Sequence, residues 1–120
     1  MPFDWGEFLN LARKLLKSKE ESVLRTSVSR AYYSAFHRAM DFGEVYCDFI
    51  RRNDGDDHRN IRKSLDTNFR SMSLSLGRLY DNRRQADYKP IIKNPASLAE
   101  ISVIEAENLI NELGKQAAKK

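Results

Sequence analysis

The chain has few residues of the kinds that cross-link a fold or bind metal: one cysteine and two histidines among 120 residues. One cysteine cannot form an intramolecular disulfide, and these three side chains are too few for a four-ligand zinc site. No apolar run approaches the roughly 20 residues that cross a bilayer, and Asp4 and Glu7 interrupt the apolar start that a signal peptide would need. We therefore expect a soluble cytoplasmic protein with no metal and no cofactor.

The charge balance is only mildly basic. Twenty-one lysines and arginines stand against 17 acidic residues, which gives a net charge of +4. This excess permits an anionic partner such as RNA or a nucleotide but does not require one. The length predicts a single domain over residues 1–120. A chain of this size buries roughly two-thirds of the surface that it exposes when unfolded, so association with a second copy or a partner would add to a modest core.

Apolar residues recur every three or four positions through most of the chain, which predicts helices and no strand. Asp4 and Glu7 have the spacing of a capping box, Gly43 has the character of a helix stop, and Asn94 followed by Pro95 is typical of a helix start. The predicted helices cover residues 5–17, 20 or 21–42, 57–69, 73–86 and 95–117, the last fraying near the terminus. We therefore predict an all-α, antiparallel bundle of four to five helices.

The second predicted helix has two different faces. Ala31 and Ala35 lie on an apolar stripe, which we expect in the core. Arg30, Tyr33 and His37 are also spaced three and four residues apart, on another face. A cation, a phenol and an imidazole in one line would form one wall of a polar binding site.

A second polar wall is predicted near residue 85. Arg83 and Asp87 are four residues apart, as are Arg84 and Tyr88. An ordinary surface ion pair, worth a few tenths of a kcal/mol, would explain the first pair equally well. Arginine and tyrosine are also the side chains that hold phosphate and stack on bases. We predict that this segment and the Arg30 face share one site.

Three segments carry a resemblance to a known family: residues 29–37 (SRAYYSAFH), His58, and residues 79–88 (LYDNRRQADY). In order and spacing over about residues 5–115, the chain resembles HEPN domains, specifically the small prokaryotic all-α proteins of that superfamily. The resemblance implies a helix bundle that forms homodimers. Many HEPN proteins are metal-independent ribonucleases, often the toxins of toxin–antitoxin pairs. Others bind a ligand or a partner protein, commonly a small nucleotidyltransferase.

The ribonuclease members of that family carry an arginine and a histidine about five residues apart on a late helix. Here the matching place begins at Arg83, and Tyr88 stands where the histidine would be. A phenol with a pKa near 10 is a poor proton acceptor at pH 7, whereas an imidazole near 6.5 is a good one. Arg52 and His58 have similar spacing but enclose Gly55 in a polar segment, and His37 is a third candidate.

The leading hypothesis is therefore a dimeric, HEPN-like protein that binds a nucleotide, RNA or a partner protein and catalyses nothing. The alternative is a metal-independent ribonuclease of the toxin type that uses Arg52, His58 or His37. A third hypothesis is an interaction protein in which the polar motifs only hold the helices together. Small residues at Ala31, Ala35 and Ala39 would let another helix approach closely, and together with the modest core they are one reason to expect a homodimer.

Overall fold

The computed structural model describes residues 2–120, and within them the chain forms five α-helices and no strand. The helices are α1 (Gly6–Leu15), α2 (Glu21–Tyr46), α3 (Asp57–Asp66), α4 (Arg70–Tyr88) and α5 (Pro95–Ala118). The predicted all-α bundle is confirmed. None of these helices, over the range described, is both long enough and apolar enough to cross a membrane.

Helix α2 lies at the centre of the bundle and contacts each of the other four helices. Its small residues Ala31, Ala35 and Ala39 are fully buried, in the same core as Val103 and Ala106 of α5. Small side chains on both helices allow the two backbones to pack closely. The close approach of another helix that these alanines predict is confirmed, and that helix is α5 of the same chain.

Gly43 does not end α2, contrary to the sequence prediction, because the helix continues to Tyr46. A Cβ atom at position 43 would lie 2.6 Å from Cδ1 of Ile61 and 3.1 Å from Cβ of Phe49. The carbonyl of Gly43 also accepts the backbone N–H groups of Cys47 and Phe49 at 2.9 and 3.1 Å. The glycine is thus needed for the close approach of buried neighbours and not for a turn.

The predicted capping box at the start of α1 does not form either. The helix begins at Gly6, and Oδ1 of Asp4 accepts the backbone N–H of Gly6 at 2.9 Å. The same oxygen accepts from the Arg38 guanidinium of α2, also at 2.9 Å. Asp4 therefore ties α1 to α2, and Glu7 has no capping role because the box would need both residues.

The start of α5 follows the prediction. Asn94 is the N-cap, its Oδ1 accepts the backbone N–H of Ser97 at 3.1 Å, and Pro95 is the first helical residue. Helix α4 begins three residues earlier and ends two residues later than the predicted range 73–86. Its added last turn carries Asp87 and Tyr88, so both residues are held on the helix.

We predict that Gly43→Ala destabilises the protein by about 1–3 kcal/mol, because the added methyl group would overpack the contact with Ile61 and Phe49. Gly114→Ala is the matched control. It makes the same change inside α5, where an added Cβ meets nothing within 4 Å, and it should stabilise by about 0.5–1 kcal/mol. Urea unfolding measures both. Equal effects of the two substitutions would contradict the packing argument.

Candidate functional site

A buried tyrosine and a histidine from different helices form the centre of the candidate site. Tyr32 of α2 is fully buried, and its hydroxyl is hydrogen-bonded to Nδ1 of His58. The His58 ring stacks on Phe36, one turn further along α2, with 4.3 Å between ring centroids. His58 is the second residue of α3, at the start of the helix that the sequence predicts from residue 57.

Three arginine side chains surround one tyrosine ring on α4. The guanidinium carbons of Arg62, Arg83 and Arg84 lie 4.6, 5.3 and 5.9 Å from the ring centroid of Tyr80. Arg62 comes from α3, and the other two follow Tyr80 by three and four residues on α4. The negative face of an aromatic ring attracts cations and so helps to hold these like charges together. We call these four residues the Tyr80 cluster.

Arg83 joins the Tyr80 cluster to the Tyr32 centre. It is 8% exposed, and its guanidinium carbon also lies 5.5 and 5.7 Å from the ring centroids of Tyr32 and Tyr33. The predicted pair with Asp87 forms at 3.4 Å, yet Nε of Arg83 is buried without a hydrogen-bond partner. The pair is therefore part of a larger cluster that includes Tyr33 within the same chain.

Carboxylates compensate little of this positive charge. Within residues 2–120, Asp87 is the one acid in an ion pair with any arginine of the Tyr80 cluster. Arg62 donates instead to the carbonyl of His58 at 2.8 Å, and Arg84 to the hydroxyl of Tyr80 at 3.4 Å. The hydrogen bond from Arg84, together with the charges of all three arginines, lowers the pKa of Tyr80.

The same charges act on His58. Burial is the main cause that lowers the pKa of His58 below its usual value, and the charges of Arg83 and Arg62 lower it further. The carboxylate of Asp57 has a smaller effect in the opposite direction. Burial raises the pKa of Tyr32. At pH 7 His58 is therefore neutral and Tyr32 keeps its proton, so the charge at the centre of the site comes from arginine alone.

The predicted wall of Arg30, Tyr33 and His37 divides between two neighbours. The guanidinium carbon of Arg30 lies 4.5 Å from the ring centroid of Phe8 in α1 and 5.5 Å from that of Tyr33. His37 stacks on Trp5 at 3.5 Å between centroids, and its Nδ1 is buried without a partner. Tyr33 thus faces Arg83 of α4, whereas His37 packs towards the N-terminal segment.

Arg52 does not join the site. It is exposed, and its backbone N–H, like that of Asn53, donates to the carboxylate of Asp57, at 2.9 and 2.8 Å. The arginine charges that act on His58 are those of Arg83 and Arg62, and Arg52 is not among them. The buried carboxylate of Asp57 instead fixes the chain that leads into α3.

Three site residues were missed from the sequence: Tyr32, Arg62 and Tyr80. Tyr32 is buried like any core aromatic residue, but its hydroxyl has a polar partner on another helix. The other two had a signal in their spacing. Arg62 follows His58 by four residues, and Tyr80 precedes Arg84 by four, so each pair shares one helix face.

A basic groove runs beside the Tyr80 cluster between α3 and α4. It has a volume of about 430 Å³, and its basic lining residues are Arg59, Arg62, Lys63, Arg70 and Arg78. A second depression of about 410 Å³ is lined by Arg84, Tyr88 and Lys89 among others. Asp81 borders both. Acids accompany most of the charge of the groove, since Asp66 also lines it and its three arginines other than Arg62 form ion pairs with Asp56, Asp66 and Glu105.

No group of three or more histidine, cysteine, aspartate or glutamate side chains within residues 2–120 is arranged to hold a metal ion. No family model, curated protein or solved structure matches the chain.

We predict that the protein loses stability as the pH falls from about 7 to 5.5. Burial lowers the pKa of both His37 and His58 in the folded state. The unfolded chain, with imidazole pKa values near 6.5, therefore binds more protons in this window, and acid favours unfolding. Urea unfolding at several pH values should give a steeper loss for the wild type than for His37→Gln/His58→Gln. Identical pH profiles would contradict the prediction.

Proposed function

We propose that the chain binds a nucleotide, free or within single-stranded RNA, at the Tyr80 cluster and does not alter it chemically. The observation that carries this proposal is the gathering of three guanidinium groups around one tyrosine ring with a single carboxylate partner. Partly buried charge without a counter-ion is unfavourable. An anion bound between the arginines would relieve that repulsion.

The side chains present suit both parts of a nucleotide. The planar guanidinium groups of Arg62 and Arg84 would donate paired hydrogen bonds to phosphate oxygens. Tyr88 is 68% exposed, with the Arg84 guanidinium 5.6 Å from its ring centroid, and would stack on the base. Asp87 would orient Arg83, and Tyr33 would line the α2 side of the same site.

The family resemblance supports the same proposal. Residues from all three segments that carry it, namely Tyr32, Tyr33, His58 and the α4 residues from Tyr80 to Tyr88, surround one site. We extend the proposal accordingly to a HEPN-like cytoplasmic protein. Its natural setting would be a toxin–antitoxin pair, and its natural partner a small nucleotidyltransferase.

A homodimer is part of this proposal, although its interface would not be the alanine face of α2. Ile101 and Ile104, three residues apart on α5, are 56% and 51% exposed and offer an apolar contact for a second copy. A closed two-fold dimer is the commonest soluble assembly. Light scattering at micromolar concentration should give twice the chain mass of 13.9 kDa, and a monomer mass throughout would contradict it.

We predict that Arg84→Gln weakens binding of adenosine 5′-monophosphate and of a short oligoadenylate by about tenfold or more. A hydrogen bond to a charged group is worth about 1.5–3 kcal/mol, and about 1.4 kcal/mol corresponds to a factor of ten in affinity. Arg84 is exposed, so its loss should leave the fold intact. Lys14→Gln, which removes the same charge from an exposed position on α1, is the matched control for calorimetric titration.

Equal affinity of the two variants would mean that binding follows net charge and not the Tyr80 cluster. If neither the mononucleotide nor the oligomer binds to the wild type, the proposed function is wrong. The hypothesis of an interaction protein whose polar residues only hold its helices together would then be preferred.

A metal-independent ribonuclease is the second candidate, and one observation favours it. The charge of Arg83 acts on His58, so an arginine and a histidine come together from two helices even though the sequence separates them. We nevertheless predict no cleavage of mixed RNA by the purified protein in the presence of chelator, since Nδ1 of His58 is already bonded to Tyr32.

Four proteins decide between binding and cleavage: the wild type, Arg52→Ala, His58→Ala and Arg83→Ala. Cleavage that disappears in the last two and persists in Arg52→Ala would overturn the non-catalytic proposal and identify the nuclease site. General acid–base assistance is worth roughly a hundred- to ten-thousand-fold in rate, so its loss would be plain. Equal cleavage by all four would indicate a contaminating nuclease.

A further inference from the structure

The hydrogen bond between Tyr32 and His58 restricts which nitrogen of the imidazole carries the proton. Neutral imidazole has one N–H donor and one acceptor nitrogen, and a phenol can donate or accept. Within the described chain, the hydroxyl of Tyr32 has His58 Nδ1 as its only partner. Two arrangements therefore satisfy the bond: the phenol donates to a bare Nδ1, or Nδ1–H donates to the phenol oxygen.

These two arrangements differ in what they leave unpaired. If Nδ1–H donates, the phenol hydrogen of the fully buried Tyr32 has no acceptor, and a buried donor without a partner is costly. If the phenol donates, both members of this pair are satisfied, because the hydroxyl has an acceptor and Nδ1 has a donor. The proton of His58 then lies on Nε2.

His58 Nε2 is the nitrogen that remains available to a ligand. It makes no hydrogen bond with any residue from 2 to 120, and it is not fully buried, so a ligand can approach it. The His58 ring centroid lies 5.6 Å from that of Tyr80, which places the histidine beside the arginines that surround Tyr80.

We propose that Tyr32 is a positioning residue that holds His58 as the Nε2–H form, so that His58 presents a hydrogen-bond donor to the ligand. This inference rests on the proposed function, because the ligand in question is the phosphate of the bound nucleotide. The site would then offer donors from His58 and from the arginines of the Tyr80 cluster. Such a set selects a fully deprotonated phosphate, which only accepts hydrogen bonds.

The inference also explains why the site would bind without reacting. A general base needs a bare nitrogen facing the group that loses a proton. In the Nε2–H form the bare nitrogen is Nδ1, and Tyr32 occupies it. Positive charge from Arg83 and Arg62 opposes a second proton on the ring, and Asp57 is the one acid that favours it. His37 of α2 also opposes that protonation, while Tyr80 of α4 is a neutral neighbour.

The test is nitrogen-15 NMR of protein labelled at histidine, at pH 7.5 and without ligand. Only two histidines are present, and His37→Gln assigns their signals. We expect the long-range proton–nitrogen pattern of an Nε2–H imidazole for His58. The pattern of an Nδ1–H imidazole for His58 in the wild type would overturn the inference outright, and this measurement needs no bound nucleotide.

Tyr32→Phe removes the phenol hydroxyl and should give a mixture of both tautomers at His58. Tyr46→Phe makes the same change at the last residue of α2, where the ring packs on Phe42, and should leave the tautomer unchanged. An unmixed Nε2–H form in Tyr32→Phe would show that Tyr32 does not set the tautomer, which contradicts the proposal.

Titration with adenosine 5′-monophosphate supplies the last readout. Tyr32→Phe should weaken binding by up to about twofold, because only the fraction of His58 in the Nε2–H form can donate to the ligand, while Tyr46→Phe should not. Unchanged affinity in Tyr32→Phe despite a mixed tautomer would refute the donor role of His58. Absence of binding by the wild type would refute the proposed function instead. Because the tautomer is measured without ligand, its spectrum would still show whether Tyr32 sets the tautomer of His58.

Discussion

The hydroxyl of Tyr32 lies inside the bundle, and the arrangement of the site follows from that fact. Tyr32 is fully buried on the central helix, and His58 of α3 supplies the polar partner that a buried hydroxyl requires. The ring of Tyr32 also contacts Arg83, whose guanidinium carbon lies 5.5 Å from its centroid. One side chain of α2 therefore fixes the positions of a histidine on α3 and an arginine on α4.

In this site aromatic rings hold the arginine side chains, whereas ion pairs would be enough if these arginines had only a structural role. Elsewhere on the chain, arginines pair with acids: Arg25 with Glu21 at 2.7 Å, and Arg51 with both Asp41 and Glu44. Around Tyr80, three guanidiniums share only Asp87 over the described residues. Rings hold cations in place without cancelling their charge. Positive charge kept in this way is available to an anion, which is the physical basis of the proposed function.

Periodicity predicted the helices well because the apolar spacing is regular, but it could not assign neighbours to them. Gly43 is a case in point: its position near the end of an apolar stripe indicated a stop, whereas the contact that requires it comes from Ile61 and Phe49, which only the tertiary fold brings close. The alanines of α2 were correctly placed in the core, yet their partner is α5 of the same chain.

For the site, residue spacing could predict relations within one helix, such as that of Arg83 with Asp87, because residues four apart share a face. Spacing could not predict the hydrogen bond between Tyr32 and His58, since 26 positions separate the two residues and nothing in their local pattern links them. The proximity in sequence of Arg52 to His58 indicated a pair, but the Asp57 carboxylate binds the backbone there and the arginines that act on His58 come from α3 and α4.

The central claim is that one site, built around Tyr80 by α2, α3 and α4, binds the phosphate and base of a nucleotide. Backbone amide NMR during titration with adenosine 5′-monophosphate tests it directly. The account predicts saturable shifts concentrated at residues 30–37, 58–62 and 80–88, with α1 beyond Phe8 and the last turns of α5 unaffected. Shifts concentrated elsewhere, or small shifts spread along every lysine and arginine without saturation, would contradict it.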